Sequence, residues 1–197
     1  MKKLLISILM LLAVANSLAE SSKTVAYPDL QGKIIKEIKY TDKTGENVIV
    51  LTQTDISTRE EEGNHSYISQ DLYAYRYLIK QGKMQKIWQI HDFIHDCEVD
   101  MCVNFIKKHI QITELNHNGI KEVWIPYALQ CAGDISPFEL KIIMYEDKQK
   151  YALRGESLSY GLGGKYKMDA KLKNNPAFSK FAKSLFRKIK KIDNYYE

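Results

Sequence analysis

The chain has 197 residues, of which 45% are hydrophobic, 27% charged and 11% aromatic, with 29 Lys and Arg against 24 Asp and Glu. This length and composition fit one globular domain with its own core, and they exclude a disordered tail, a collagen-like repeat and a disulfide-dense scaffold. The longest apolar run, at 4–15, is too short to cross a bilayer comfortably, which excludes a multi-pass membrane protein.

The N-terminus is typical of an export signal. Two lysines precede the apolar run, and small residues follow it up to Ala19, before a polar stretch begins. We therefore expect residues 1–19 to be a signal peptide cleaved after Ala19. Residues 20–197 would then form a single β-rich domain that is periplasmic or secreted. An uncleaved membrane anchor is the alternative.

Between Lys33 and Arg154, apolar and polar residues mostly alternate, and β-branched and aromatic residues are frequent, which is typical of half-buried strands. Turn-forming Gly, Asn and Asp residues separate several of these stretches. The polar segment Thr54–Ser66 is predicted to be an exposed loop. The predicted strands are 33–40, 46–53, 70–80, 83–91, 109–114, 122–129, 138–146 and 150–154.

This order of elements predicts a mainly β fold of the α+β class. The strands would form an antiparallel meander that closes as an open curved sheet or a sandwich. The stretches that begin at Gly45 and Gly119 resemble each other weakly, like two propeller-blade units of four strands each. Two units are too few to close a propeller, which needs at least about four blades.

The C-terminal segment has a helical period. Asn175 can cap a helix, Pro176 suits its first position, and apolar residues then recur at three- and four-residue spacing. Lysines and arginines are frequent over 170–192, where no acidic residue occurs. We expect a basic amphipathic helix over about 176–192 whose apolar face packs on the sheet. Insertion of this helix into an anionic membrane surface is the alternative.

Three cysteines, Cys97, Cys102 and Cys131, would enter an oxidising compartment after export, so at least one disulfide and one leftover thiol are expected. Cys97 and Cys102 are close in sequence. A bridge from Cys97 to Cys131 would close a longer loop, which is worth about 3 to 5 kcal/mol in the loop-entropy model. Zinc is disfavoured because the Cys-x4-Cys pair has no matching second pair.

His91 and His95 have the spacing of a zinc-hydrolase helix. The preceding residues predict a strand instead, which would hold the two histidines about 13 Å apart. The residue after His91 is also an Asp, where such enzymes use a Glu as the general base. A zinc site is therefore not expected.

Glu114, Asn116, Asn118 and Glu122 have the alternate spacing of calcium loops in secreted β repeats. Asparagine at the middle positions removes charge that a hard cation needs. An Asx-type turn without metal is therefore favoured, calcium is the weaker alternative, and no other cofactor is predicted.

No nucleophile motif of a known hydrolase type occurs in the chain. We therefore expect a non-catalytic protein. The alternative is a periplasmic hydrolase of envelope material that uses Asp92, His95 or Asp134, which would require these side chains to meet in one pocket.

Tyr73, Tyr75 and Tyr77 lie at every second position of a predicted strand, so their rings would share one side of it. Together with Arg76 they are a candidate binding site, because tyrosine rings can stack on sugars. Packing of the three rings within the fold is the favoured interpretation.

Several segments together resemble a known family. They are Trp88–Asp92, Asp96–Cys97, Asn118–Glu122, Tyr127, Cys131–Pro137, Lys141–Glu146 and Lys150–Gly155. In these segments the chain resembles small exported bacterial proteins labelled surface polysaccharide biosynthesis proteins. The resemblance implies involvement in the cell envelope. We therefore expect an exported binding or assembly factor, with an envelope glycan or envelope protein as partner and no nucleic acid. It also favours Cys97 and Cys131 as the disulfide pair.

Overall fold

The computed structural model describes residues 27–63, 65–191 and 195. The fold is mainly β, with antiparallel sheets and a C-terminal helix, which confirms the predicted class. The predicted signal peptide and the last predicted helical residue, at position 192, lie outside the described residues.

The first sheet is built around one long strand. It contains β1 (Lys33–Asp42), β2 (Gly45–Gln53), β3 (Ser57–Glu61), β4 (His65–Lys80) and β5 (Lys83–Cys97). The strands β1, β2 and β4 are neighbours, and β4 also pairs with β3 and β5. The prediction of an exposed loop over 54–66 is wrong at the residues that form β3. This strand is fully exposed, so its polar side chains lack the alternation that reveals a half-buried strand.

The second sheet follows directly along the chain. It contains β6 (Met101–Phe105), β7 (Gln111–Thr113), β8 (Glu122–Cys131), β9 (Glu139–Glu146) and β10 (Gln149–Glu156). A separate hairpin of β11 (Leu158–Ser159) and β12 (Leu162–Gly163) comes next, and β13 (Tyr166–Met168) then returns to pair with β10. No strand was predicted at β6, whose five residues are too few for a clear period.

The two sheets pack face to face around a shared apolar core. At one end of this core, Arg76 is fully buried and clamps two turns together. Its guanidinium donates to Asn47 and Thr44 at the β1–β2 hairpin and to Asp147 in the β9–β10 turn, at 2.8 to 2.9 Å. The core includes Ile49, Leu51, Leu72, Trp88 and Ile90 of the first sheet, and Val103, Phe105, Val123, Ile125, Leu129 and Ile143 of the second.

The far side of the second sheet is covered by α2 (Pro176–Ile189), which follows the short helix α1 (Ala170–Asn174). As predicted, Asn175 caps α2 by accepting a hydrogen bond from the Phe178 amide at 3.1 Å, and Pro176 begins the helix. The apolar face of α2 is buried on the sheet and its basic face is exposed. Among the described residues, no helix is long and apolar enough to span a membrane.

A disulfide between Cys97 and Cys131 joins the end of β5 to the end of β8, and therefore ties the two sheets together. This is the pair that the family resemblance favoured. Cys102 is the free thiol, and it lies buried with its sulfur 3.4 Å from the Tyr195 carbonyl oxygen. Burial raises the pKa of Cys102 to about 11. A disulfide is typical of proteins that fold in an oxidising compartment.

Candidate functional site

The strand β5 separates the residues proposed for catalysis. Asp92 points into the space between the sheets, whereas His95 lies on the opposite side of the strand, as the alternation of a strand requires. Asp134 is exposed in the loop after β8, where its carboxylate accepts a hydrogen bond from the Ser136 amide. Hydrogen bonding to Ser136 holds the pKa of Asp134 below its usual value. The three side chains do not share a pocket.

Asp92 instead belongs to a polar cluster on the inner side of the sheets, in which its carboxylate is hydrogen-bonded. Its carboxylate accepts hydrogen bonds from the Tyr127 hydroxyl at 2.8 Å and the Lys141 ammonium at 2.7 Å, and Lys141 also pairs with Glu139 at 3.3 Å. Burial, followed by the charge of Asp92, raises the pKa of Tyr127. The hydroxyl therefore stays protonated and acts as a donor to Asp92, not as a nucleophile.

This cluster borders two cavities, which we together call the groove. One, of about 400 Å³, lies beside β5 and is lined by Asp92, Phe93 and Lys141 among others. The other, of about 810 Å³, lies over β10 and β13, where Tyr166 is part of its lining. Glu139 lines both cavities. Phe93 and Tyr166 border these cavities, but their rings lie on the other side of their strands: Phe93 stacks between the two histidines on the outer face of the first sheet, and Tyr166 packs on Phe186 of α2.

Three cations lie side by side in this groove. Arg154 on β10 is directly opposite Lys141 on β9 and directly opposite Lys167 on β13, so the three form a row across neighbouring strands. Like charges directly opposite each other destabilise a sheet. Lys141 is compensated by Asp92 and Glu139, but within residues 27–63 and 65–191 the Arg154 guanidinium has neither an ion pair nor a hydrogen bond.

Other charges surround this row. Burial, followed by the charge of Arg154, lowers the pKa of Lys150 on the same strand. Glu156 and Glu139 form a second like-charged pair two residues along the same strands. The groove therefore combines a row of cations with two carboxylates.

The predicted tyrosine row exists, but it is buried. Tyr73, Tyr75 and Tyr77 share the outer face of the first sheet, with neighbouring rings stacked 6.0 Å apart. The Tyr77 hydroxyl donates to the Pro28 carbonyl, and Tyr27 packs on the Tyr77 ring at 5.1 Å. This burial favours packing over an exposed sugar platform. Arg76, the fourth candidate residue, points to the opposite side of the sheet and is used by the clamp described above.

The same aromatic row continues onto β5, where its rings are exposed to solvent. The His91 ring stacks on Tyr73 at 4.4 Å, and His91 and His95 lie on either side of Phe93. Both histidines hydrogen-bond Asp71, at 2.6 and 3.2 Å. Burial raises the pKa of Asp71, but the two histidine contacts outweigh it and hold that pKa below its usual value. No three His, Cys, Asp or Glu side chains gather closely enough to hold a metal ion anywhere in the described chain.

The candidate calcium turn is held by its own hydrogen bonds. Glu122 is buried and accepts from the Thr113 hydroxyl and the Leu115 amide, and Glu114 accepts from the Asn118 amide. The side-chain amides of Asn116 and Asn118 both donate to Glu146. The Asn118 oxygen accepts from the Ile120 amide, as in an Asx turn. These four side chains are thus engaged in structural contacts.

Sequence reasoning did not select the row of cations. Lys141 and Arg154 occupy inward positions of two predicted strands, which was the available signal, but their alignment depends on strand register. Comparison with protein-family models, curated proteins and solved structures finds no match to this chain. The groove itself therefore provides the basis for a functional proposal.

Proposed function

We propose that this protein is an exported, non-catalytic cell-envelope binding protein that holds an acidic glycan in the groove. The observation that carries the proposal is Arg154, which lies between Lys141 and Lys167 in a row across three strands and whose guanidinium has no partner within residues 27–63 and 65–191. An anionic ligand would neutralise this row, which is otherwise unfavourable for the sheet. A guanidinium is also well suited to bind a carboxylate through two parallel hydrogen bonds.

The rest of the groove supports a sugar chain over a small inorganic anion. Glu139 and Glu156 provide acceptors for hydroxyl groups. An acidic polysaccharide offers carboxylates and hydroxyls in one molecule, and therefore matches both kinds of side chain.

A binding role is favoured over hydrolysis by the arrangement of the acidic residues. The Asp92 carboxylate is hydrogen-bonded to Tyr127 and Lys141, while Asp134 and His95 lie outside this cluster. A glycosidase needs two carboxyl groups across a sugar bond with distinct protonation states. The Cys97–Cys131 disulfide supports a periplasmic or secreted location, where an envelope glycan would be accessible.

The proposal can be tested by calorimetric titration of the protein lacking residues 1–19. The probes are polygalacturonate, a linear acidic glycan, and neutral dextran of similar length. We expect binding to polygalacturonate only, with weakening as salt rises. Arg154→Gln should weaken binding roughly tenfold, since it removes a charge-assisted contact.

Two further variants sharpen this test. Lys167→Gln should weaken binding severalfold through loss of a second cation of the row. Lys33→Gln is the matched control, since Lys33 is an exposed cation on the first sheet that pairs with Asp55. Equal binding of both probes, or an Arg154→Gln variant that binds as tightly as the Lys33→Gln control, would overturn the proposal.

A further inference from the structure

The hairpin of β11 and β12 exposes an unusual number of apolar side chains. Leu158, Tyr160 and Leu162 lie at alternate positions along it, and Tyr160 at its tip is 85% exposed. Ile135 is also exposed and adjoins the hairpin, because the Ser159 hydroxyl donates to the Ile135 carbonyl at 2.8 Å. Single exposed apolar residues are ordinary on protein surfaces, but four at one projecting point are not.

The hairpin is anchored at its base. The Leu158 amide donates to the Lys190 carbonyl at 2.7 Å, and the Gly164 amide donates to the Ser157 carbonyl at 3.0 Å. Gly163 has a positive φ, and a side chain there would collide with the ring of Pro137. These contacts fix the base of the projection against the end of α2, so the apolar side chains are presented at a defined place.

The end of α2 beside the hairpin is strongly basic. Arg187, Lys188 and Lys191 are exposed, and none of them forms an ion pair with another described residue. No Asp or Glu occurs from position 170 to 191. The carboxylates nearest the apolar side chains in sequence are those of Asp134, which accepts from the Ser136 amide of its own loop, and Glu156, which lies in the groove.

We propose that this end of the protein binds the surface of an anionic lipid bilayer, with the hairpin in the interfacial zone and the basic end of α2 on the headgroups. Apolar and tyrosine side chains beside Lys and Arg are the combination that binds such interfaces. Helix α2 does not insert, because its apolar face is already buried on the second sheet. A soluble polyanion would be attracted by the cations, but it would make no favourable contact with the apolar side chains of the hairpin.

Vesicle co-sedimentation tests this proposal independently of glycan binding. The protein lacking residues 1–19 should sediment with phosphatidylcholine vesicles that contain phosphatidylglycerol, and much less with phosphatidylcholine alone. The double variant Tyr160→Ser, Leu162→Ser should lose roughly tenfold in affinity, and so should Arg187→Gln, Lys191→Gln. Ile56→Ser, which changes an exposed apolar residue between β2 and β3, is the matched control.

A fluorescence measurement checks the depth of the hairpin directly. In a Tyr160→Trp variant, the added tryptophan should shift its emission to the blue when anionic vesicles are added, because its ring leaves water. No shift, or a hairpin double variant that binds vesicles as well as the Ile56→Ser control, would overturn the proposal. Charge-dependent binding that the hairpin variant retains would indicate a soluble polyanion site instead, and would also overturn it. Arg154→Gln should leave vesicle binding unchanged, so failure of the glycan proposal is distinguishable.

Discussion

The outer faces of the two sheets are covered in different ways. On the second sheet, α2 buries Phe178, Leu185 and Phe186 against the strands along its whole length. On the first sheet, the cover includes the short segment around Tyr27, which packs over the buried tyrosine row. Beyond that row, Phe93 remains largely exposed with the two histidines beside it.

This difference shows that sharing a face and being covered are separate properties. The tyrosines of β4 and the rings of β5 form one continuous row, yet one end is buried and the other is open. Strand alternation accounts for the row. The cover depends on which distant segment happens to lie over it. The predictions below test how much each cover and each contact stabilises the fold.

The largest loss of stability is expected where α2 covers the second sheet. Phe186→Ala should lower the free energy of unfolding by about 3 to 5 kcal/mol, because the fully buried ring leaves a cavity between α2 and the second sheet. Phe93→Ala, on the open part of the first sheet, should change it by less than about 0.5 kcal/mol. Urea unfolding measures both values. Similar losses for the two variants would mean that the open end of the row is covered in solution.

The disulfide should contribute nearly as much to the free energy of unfolding, although it covers neither outer face. Replacing both Cys97 and Cys131 by Ser should cost about 2 to 5 kcal/mol, mainly by freeing the unfolded chain. Non-reducing peptide mapping should link these two cysteines in the wild type. A reducing agent should lower the midpoint of the wild type but not that of the double variant. A Cys97–Cys102 linkage would contradict the structure.

A smaller loss is expected where β10 approaches α2. A Cβ atom on Gly155 would lie 2.5 Å from the Lys165 carbonyl and 2.8 Å from the Phe186 ring. Gly155→Ala should therefore cost about 1 to 3 kcal/mol through overpacking. Gly133→Ala is the control, since its new Cβ would meet only Val99 at 3.5 Å. A neutral Gly155→Ala variant would show that α2 can move away from the sheet at little cost.

The cover of the first sheet depends in part on a single hydroxyl. Tyr77→Phe removes the hydrogen bond to the Pro28 carbonyl and leaves that acceptor unpaired, which should cost about 1 kcal/mol. Tyr160→Phe makes the same chemical change at an exposed ring and should have no measurable effect. Thermal unfolding can compare the two. Equal stability would indicate that water replaces the tyrosine at Pro28.

The smallest effect is expected at the open end of the row, and it depends on pH. Because the pKa of Asp71 is lowered in the folded state, its contribution is present above its ordinary value of 3.8 and is lost as the pH falls through the folded value. Asp71→Asn should cost less than about 1 kcal/mol at neutral pH. The gap to the wild type should close below about pH 4.

Urea midpoints measured from neutral pH down to about pH 3 would show this convergence. Asp55→Asn, which removes another carboxylate of the first sheet that pairs with an exposed lysine, is the control. A difference between Asp71→Asn and the wild type that stays constant over this range would contradict the role given to the histidine contacts.

The sequence anticipated the strands that have one apolar side, but not every strand. The periods of β2, β4, β8 and β9 are visible because one or both of their sides are buried. The exposed β3 has no such period. It exists because β4 extends to His65 and offers its edge as a pairing partner, which is a contact between residues that no local pattern records.

By itself, the sequence determined the features that depend on neighbouring residues. These are the alternation that places Tyr73, Tyr75 and Tyr77 on one side, the Asn175 cap with Pro176 after it, and the basic amphipathic period of α2. Each follows from backbone geometry over a few residues, so it can be predicted without knowing the rest of the fold.

Only the tertiary structure decided which faces are buried and which charges meet. The burial of the tyrosine row, the alignment of Lys141, Arg154 and Lys167, and the placement of the apolar hairpin beside the end of α2 all join segments that are distant along the chain. A shift of one residue in strand register would place Arg154 on the other side of its sheet. The candidate groove therefore depends on register and packing, which arise only when the whole chain folds.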